Sequence, residues 1–267
     1  MKKLFSLLLV TMMLIGVAAH HCLAEDTSLT DLQKRGKLIL GLDASFPPMG
    51  YLDPATGEIV GFDIDVAKAV CEKLGVELEC LSIDWDAKQM ELDSGNIDCI
   101  WNGLSITPER QEAMSISIPY MKNAMVVTVL KGSDYQTLAD LSGKRLGLQT
   151  GSTAEDALNA AEDFKASLGE IYYFEENATA LMDLSNGGLD AVLVDFVVAD
   201  YYITELGADY VMLDETLAGE EYGIGFRKED AALTEAVNNA LLELAQDSTL
   251  AEIAAKWFSQ DMTIVGK

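Results

Sequence analysis

Three short segments of this chain carry the groups needed to hold a small charged molecule. In the first, Asn102-Gly103-Leu104-Ser105-Ile106-Thr107-Pro108-Glu109-Arg110 follows an apolar run at 97–101. Thr107 suits a helix cap and Pro108 the first helical position, which puts Arg110 in the first turn. Free amide donors, a glycine that lets backbone approach, a serine hydroxyl and a guanidinium together make a carboxylate site. The same residues also fit a plain capped helix with a solvated arginine. In the second, Gln149-Thr150-Gly151-Ser152-Thr153-Ala154-Glu155 follows a strand-like run, with Ser152 and Glu155 at capping-box spacing. It is either another anion-facing helix start or a cap and nothing more. In the third, Val192-Leu193-Val194 ends in Asp195. A carboxylate at the tip of a buried strand needs a partner such as a ligand ammonium, or else it caps the helix from Phe196.

The common catalytic constellations are excluded by what is missing. Both histidines, His20 and His21, fall in an amino-terminal segment built unlike the rest: Lys2 and Lys3, an uncharged run to Ala19, then Cys22-Leu23-Ala24 before Glu25 and Asp26. Residues 1–24 read as a secretory signal peptide cleaved after Ala24, since the apolar run is short for a membrane span. An uncleaved anchor and a lipid-modified Cys22 are the secondary readings, and His21 is the wrong residue before a lipidated cysteine. The mature chain then lacks histidine and with it Ser-His-Asp, Cys-His and His-ligated zinc chemistry. No cofactor or metal site is read from the sequence. The 267 residues carry 18 Lys+Arg against 44 Asp+Glu, and removal of the leader takes two lysines and no acid, leaving a net charge of −28. With no basic run to offset it, that charge repels a phosphate backbone, so nucleic acid is excluded as a partner.

The elements that position these groups follow from periodicity. Strand-like runs at 37–42, 76–83, 97–101, 124–130, 145–149 and 189–194 alternate with helix-period segments at 64–74, 154–168 and 196–206, the pattern of α/β architecture. Leu233, Val237, Leu241 and Leu244 make one helical stripe after an Asp230 cap, and Leu250, Ile253, Trp257 and Phe258 make another. An internal echo implies two lobes of similar build: the segment 36–43 resembles 143–150, and 95–100 is matched by 188–192. In open α/β sheets ligands collect beyond the carboxyl ends of the strands, and two such edges facing each other make a cleft. Cys71 and Cys80 are spaced to meet between a helix end and the next strand, leaving Cys99 odd; three free thiols fit equally well.

The sequence is similar to the polar amino-acid solute-binding proteins of ABC transporters. The resemblance rests on Gly61-Phe62-Asp63-Ile64-Asp65, Gly103-Leu104-Ser105-Ile106-Thr107 with Glu109-Arg110, Gly143-Lys144 leading to Gly151-Ser152-Thr153, and Asp190-Ala191 leading to Asp195. It continues through Tyr222-Gly223-Ile224-Gly225-Phe226 and Lys256-Trp257-Phe258. What it implies is a two-lobed α/β fold of the type II periplasmic-binding-protein kind, each lobe a mixed sheet flanked by helices, joined by a two-strand hinge. Lobe 1 would comprise residues 25–124 and 222–267, and lobe 2 residues 125–221, with crossings near 123–125 and Tyr222. The resemblance assigns Arg110 to a ligand α-carboxylate, helped by backbone donors near Ser105 and Thr153. It assigns Asp195, with Asn102, Gly103 and Ser105, to the α-ammonium. Phe46 and Trp85 match positions that sandwich the ligand side chain, and Asp43 and Gln149 match positions that vary with ligand chemistry. Gln149 differs from the lysine of glutamine binders and the leucine of histidine binders. Asp63 reads as the cap of the helix from Ile64, and Glu220-Glu221 and Asp214-Glu215 read as solvated acids.

The resemblance further implies an exported, monomeric protein whose partners are an L-amino acid and a membrane ABC permease. Asp43 and the acidic field leave neutral polar or basic amino acids as ligands. Two rivals share the fold: a dehydratase-like enzyme, and a detached sensor domain, against which no membrane-spanning or signalling segment follows Lys267.

Overall fold

A computed structural model of the chain describes residues 26–258 and 261–267. The proposed leader, its cleavage point and Cys22 lie outside the described residues. The first lobe begins with α1 (Ser28–Arg35), ended by Gly36 at φ 79°, and β1 (Lys37–Leu42). A small antiparallel sheet of β2 (Ser45–Phe46), β3 (Gly50–Leu52) and β4 (Ile59–Val60) precedes α2 (Phe62–Leu74) and β5 (Glu77–Ser82). Then come α3 (Lys88–Asp93), β6 (Cys99–Ser105), α4 (Pro108–Ala113) and β7 (Ser115–Ile116). The chain leaves along β8 (Met121–Leu130) and builds the second lobe from β9 (Arg145–Gln149), α5 (Thr153–Ala160), α6 (Glu162–Ser167) and β10 (Glu170–Phe174). That lobe is completed by α7 (Asn177–Ser185), β11 (Ala191–Asp195) and α8 (Phe196–Thr204). It returns along β12 (Tyr210–Phe226) and finishes with α9 (Ala231–Gln246) and α10 (Thr249–Trp257).

One hydrogen-bonded sheet runs through both lobes in the order β10-β9-β11-β8-β12-β6-β1-β5. The outer strands are parallel within each lobe, whereas β8 and β12 are antiparallel to each other from Met121↔Tyr222 to Leu130↔Tyr210. From Met125 onward β8 also pairs with β11, and from Tyr222 onward β12 also pairs with β6. The internal echo has a physical counterpart. Asp98 accepts from the Ile39 amide at 2.8 Å and Asp190 from the Arg145 amide at 2.9 Å, each acid fastening the start of its strand to the neighbouring one.

Local expectations fare unevenly. The strands 37–42 and 145–149 match residue for residue, and the stripe Leu233, Val237, Leu241 and Leu244 is buried. The helix expected at 154–168 is two helices, because Ala161 leaves helical backbone (φ −89°, ψ 60°) and Glu162 and Asp163 supply the acidic first turn of a new one. Asp230 precedes α9 without a side-chain cap bond and pairs with Arg227 at 2.8 Å. Among the described residues Cys71, Cys80 and Cys99 are free thiols; Cys80 and Cys99 flank Leu40 in register, and burial pushes the Cys71 thiol up to about 12.

Asp63 corrects the sequence reading most usefully. Helix α2 starts at Phe62, so Asp63 lies inside its first turn, where its side chain makes no cap bond. It is fully buried and its Oδ2 accepts from the Gly103 amide at 2.8 Å, tying α2 to the kink in β6. Gly61, which immediately precedes helix α2, sits at φ 147°, and a Cβ there would meet the Met49 carbonyl oxygen at 2.2 Å. Gly61→Ala is therefore expected to cost about 2–4 kcal/mol, read as a lowered urea midpoint. Burial pushes the Asp63 carboxyl up to about 7. A carboxyl raised on folding keeps its proton in the native state while the unfolded chain has lost it, so its contribution is lost as pH rises from about 4 to about 7. Asp63→Asn keeps an acceptor for Gly103 and is expected to flatten the fall in stability over that range, a difference on the order of a few kcal/mol in urea titrations at both ends.

Candidate functional site: a cleft between two lobes

The ten positions singled out in the sequence converge. Asp43, Phe46, Trp85, Asn102, Gly103, Ser105, Arg110, Gln149, Thr153 and Asp195 all line one cavity, together with Met125 and Ser152. They arrive there because most stand where a strand ends or a helix begins, with Trp85 in the connection after β5. Asp43 follows β1, Asn102 to Ser105 close β6, Gln149 and Asp195 end β9 and β11, and Thr153 opens α5. Thr107 caps α4 by accepting from the Arg110 amide at 3.2 Å, as the sequence predicts. That cap fixes the first turn, and the Arg110 guanidinium donates to the Ser105 carbonyl at 2.8 Å. Burial lowers the Arg110 pKa while leaving it a cation. Ser152 caps α5 through the Ala154 amide at 3.3 Å, and its spacing to Glu155 makes no reciprocal box among the described residues.

Asp195 is not a side-chain cap. Its Oδ1 accepts from Asn123 at 2.7 Å and from the Tyr222 hydroxyl at 2.5 Å, and the carboxylate is 5% exposed. Burial pushes its pKa up to about 7, and the negative charge of Glu220 adds to that effect against the two hydrogen bonds. Phe46 and Trp85 are both buried and both face the cavity, with the Lys88 ammonium 5.0 Å from the Trp85 ring centroid.

Several bonds span the lobes. Gln149 Nε2 donates to Asp43 Oδ2 at 2.8 Å, with the Gln149 amide held by the Glu175 carbonyl and by Asn177. Thr153 donates to Ser105 at 3.2 Å, and Tyr201 donates to Tyr51 at the same distance. Lys88, 8% exposed, donates to the carbonyls of Trp85 at 3.0 Å and of Gly151 at 2.9 Å. Burial, and then the Arg110 charge, lower its pKa to about 8. The approach is tight there: a Cβ on Gly151 would lie 2.6 Å from Asp86 Oδ1.

Sequence reading missed Lys88, Asn123, Tyr222 and Glu220 as members of this network. Lys88 was visible as the lone base between Lys73 and Arg110. Glu220 corrects the expectation of a solvated acid: it is half-buried, accepting from Ser105 at 2.9 Å and from Asn123 at 3.0 Å. Its only signal was its place two residues before the expected crossing at Tyr222. Among the described residues no group of acids, cysteines or histidines has metal-site geometry, and no helix is long and apolar enough to cross a membrane.

The chain is similar to known proteins over most of its length. The L-cystine-binding protein of Escherichia coli K12 is 30% identical over 242 residues, covering 90% of this chain and 89% of that one. The ABC transporter arginine-binding protein 1 of the same organism is 34% identical, covering 84% and 91%. Among solved structures, an ABC uptake transporter substrate-binding protein from Streptococcus pneumoniae with bound histidine superposes with a TM-score of 0.86 at 38% identity, covering 90% of this chain and 99% of that one. Residues 38–260 match the family of bacterial extracellular solute-binding proteins, family 3. With its two-lobed fold and a match spanning most of its length, this chain belongs to that family.

Proposed function

We propose that this protein is the extracytoplasmic solute-binding component of an amino-acid ABC importer, clamping a neutral polar or basic L-amino acid and delivering it to a membrane permease. The observation that carries this reading is the pairing of Arg110 and Asp195, opposite charges from different lobes, on one cavity. Arg110 takes the α-carboxylate with the amides near Ser105 and Thr153. Asp195 takes the α-ammonium with Ser105 and the backbone of Asn102 and Gly103. Phe46 and Trp85 hold the side chain, whose far end meets Asp43 and Gln149. In this reading lobe 1 is residues 25–124 with 222–267, lobe 2 is residues 125–221, and the chain works as an exported monomer after loss of residues 1–24.

The cavity measures about 10 Å³, barely room for one water. An amino acid therefore enters when the lobes part, by bending at 123–125 and near Tyr222. Without ligand, Arg110 and Asp195 are hydrated in the opened cleft; with it, closure desolvates both while giving each an opposite partner. Closure then follows from tighter binding to the closed form. In this reading the cross-lobe bond from Lys88 is broken when the lobes part. The relatives named above are binding proteins, which supports transport over catalysis.

A thermal-shift screen of residues 25–267 against the twenty L-amino acids, ornithine and cystine is the direct test. One or a few polar amino acids at 100 times their Kd are expected to add about 2.7 kcal/mol of stability, and Arg110→Ala and Asp195→Ala are each expected to abolish the shift. Variants that still respond would overturn the residue roles, and turnover of a prephenate-like substrate would favour the enzyme. Lys88→Met is expected to weaken binding about tenfold in calorimetry, mainly through faster release, because one charge-assisted bond is lost from the closed form.

A further inference from the structure

Glu220 stands on β12 opposite Asn123 of β8, where the two crossing strands meet. Its Oε2 receives the Ser105 hydroxyl and one Asn123 amide hydrogen. Ser105 has a single hydroxyl hydrogen, given to Glu220, while Thr153 donates into the same Ser105 oxygen. One Ser105 lone pair is left. Both amide hydrogens of Asn123 are spent, one on Glu220 and one on Asp195 Oδ1, and the Tyr222 hydroxyl also goes to Oδ1. Among the described residues no side-chain donor reaches Asp195 Oδ2, and Asp195 lines the cavity. The side chains on this wall of the cleft thus offer acceptors, which match an ammonium with its three donors and repel a carboxylate.

We propose that Glu220 is the positioning residue of the ammonium subsite: by accepting the Ser105 hydroxyl and one Asn123 amide hydrogen, it leaves Ser105 Oγ and Asp195 Oδ2 free to accept from the ligand α-ammonium. This rests on the clamp reading above and deepens it at one point. Glu220 itself does not line the cavity that holds Asp195 and Arg110; it works from behind, beside a larger cavity of about 700 Å³ on the hinge side. A glutamine there can donate to Ser105, turning that hydroxyl toward the ligand as a donor and opposing the ammonium. The charged and titratable groups around it are Arg110 from α4, Asp156 from α5, Lys122 from β8, Asp195 from β11, and Glu221 and Tyr222 on its own strand. Of these, Asp195 feels Glu220 directly, because its carboxyl is raised first by burial and then by that charge. The ligand-free protein therefore gives up stability as pH rises from about 4 to about 7, and removing the Glu220 charge returns part of it.

The test compares wild type, Glu220→Gln and Glu220→Asp. Calorimetry uses the amino acid giving the largest shift in the panel above, and ligand-free melting is followed at pH 5 and pH 8. The expected result is at least a tenfold loss of affinity in Glu220→Gln and partial recovery in Glu220→Asp. Relative to wild type, ligand-free Glu220→Gln should melt higher at pH 8 than at pH 5. Affinity of Glu220→Gln within twofold of wild type, while Arg110→Ala is inert, sinks this proposal and leaves the clamp intact. Equal destabilisation of Glu220→Gln at both pH values would reduce the residue to a structural support and overturn it as well. If no amino acid shifts wild type, the clamp reading falls and this proposal with it.

Discussion

The carboxylate of Asp195 ends a strand whose residues are buried throughout, and it is held by Asn123 and Tyr222, which lie on the two strands that carry the chain between lobes. A buried anion without a counter-charge is costly, and neutral donors relieve only part of that cost. Glu220 raises it further. The junction of the lobes is thus built around an electrostatic deficit that a cation corrects. Arg110 creates the complementary need on the first lobe, half-buried and bonded to the neutral Ser105 carbonyl. In the proposed clamp a zwitterion answers both at once, and its binding energy depends on the two charges being brought to one cavity.

Bringing them together is the work of the sheet. Because β8 and β12 pair with each other along both lobes, the ladder continues across the junction, and the proposed bending falls on the short stretch where the outer neighbours change from β6 to β11. The register shifts in β12, between Met212 and Thr216 and again before Ala218, lie on the second-lobe side of that stretch. Around the cavity, bonds from Gln149, Thr153, Lys88 and Tyr201/Tyr51 stitch opposite rims. Those of Lys88 and of Gln149 with Asp43 involve a charged group and are worth about 1.5–3 kcal/mol each, the other two about 1 kcal/mol net, so in the proposed clamp they bias closure without replacing the ligand.

Gln149 and Asp43 form a bonded pair at one side of the cavity. Gln149 spends its amide hydrogens on Asp43 and the Glu175 carbonyl and accepts from Asn177. Its orientation is therefore fixed, and in the proposed clamp the acidic Asp43 is the charge offered to an incoming side chain. That arrangement suits a cationic or hydrogen-bonding group and disfavours an anionic one.

Much of this was legible in the chain itself. Alternating periodicity gave the α/β class, the echo of 36–43 in 143–150 gave two similar lobes, and Thr107-Pro108 fixed where Arg110 enters its helix, because these features depend on neighbours within a few residues. Lack of histidine beyond residue 21 removed the common catalytic arrangements from the residues present. Contacts across long separations were not legible. Asp63 reads locally as a helix cap and is in fact a partner of Gly103, forty residues away; Glu220 reads as a solvated acid and is bonded to Ser105, more than a hundred residues earlier. Lys88 likewise finds Gly151 only once the lobes face each other. Sequence alone determined which residues stand at strand ends and helix starts, since propensity, capping and hydrophobic period are local. Only the tertiary structure decided which of those ends share one cavity and which buried charges lack a counter-ion, because burial and pairing belong to the packed molecule.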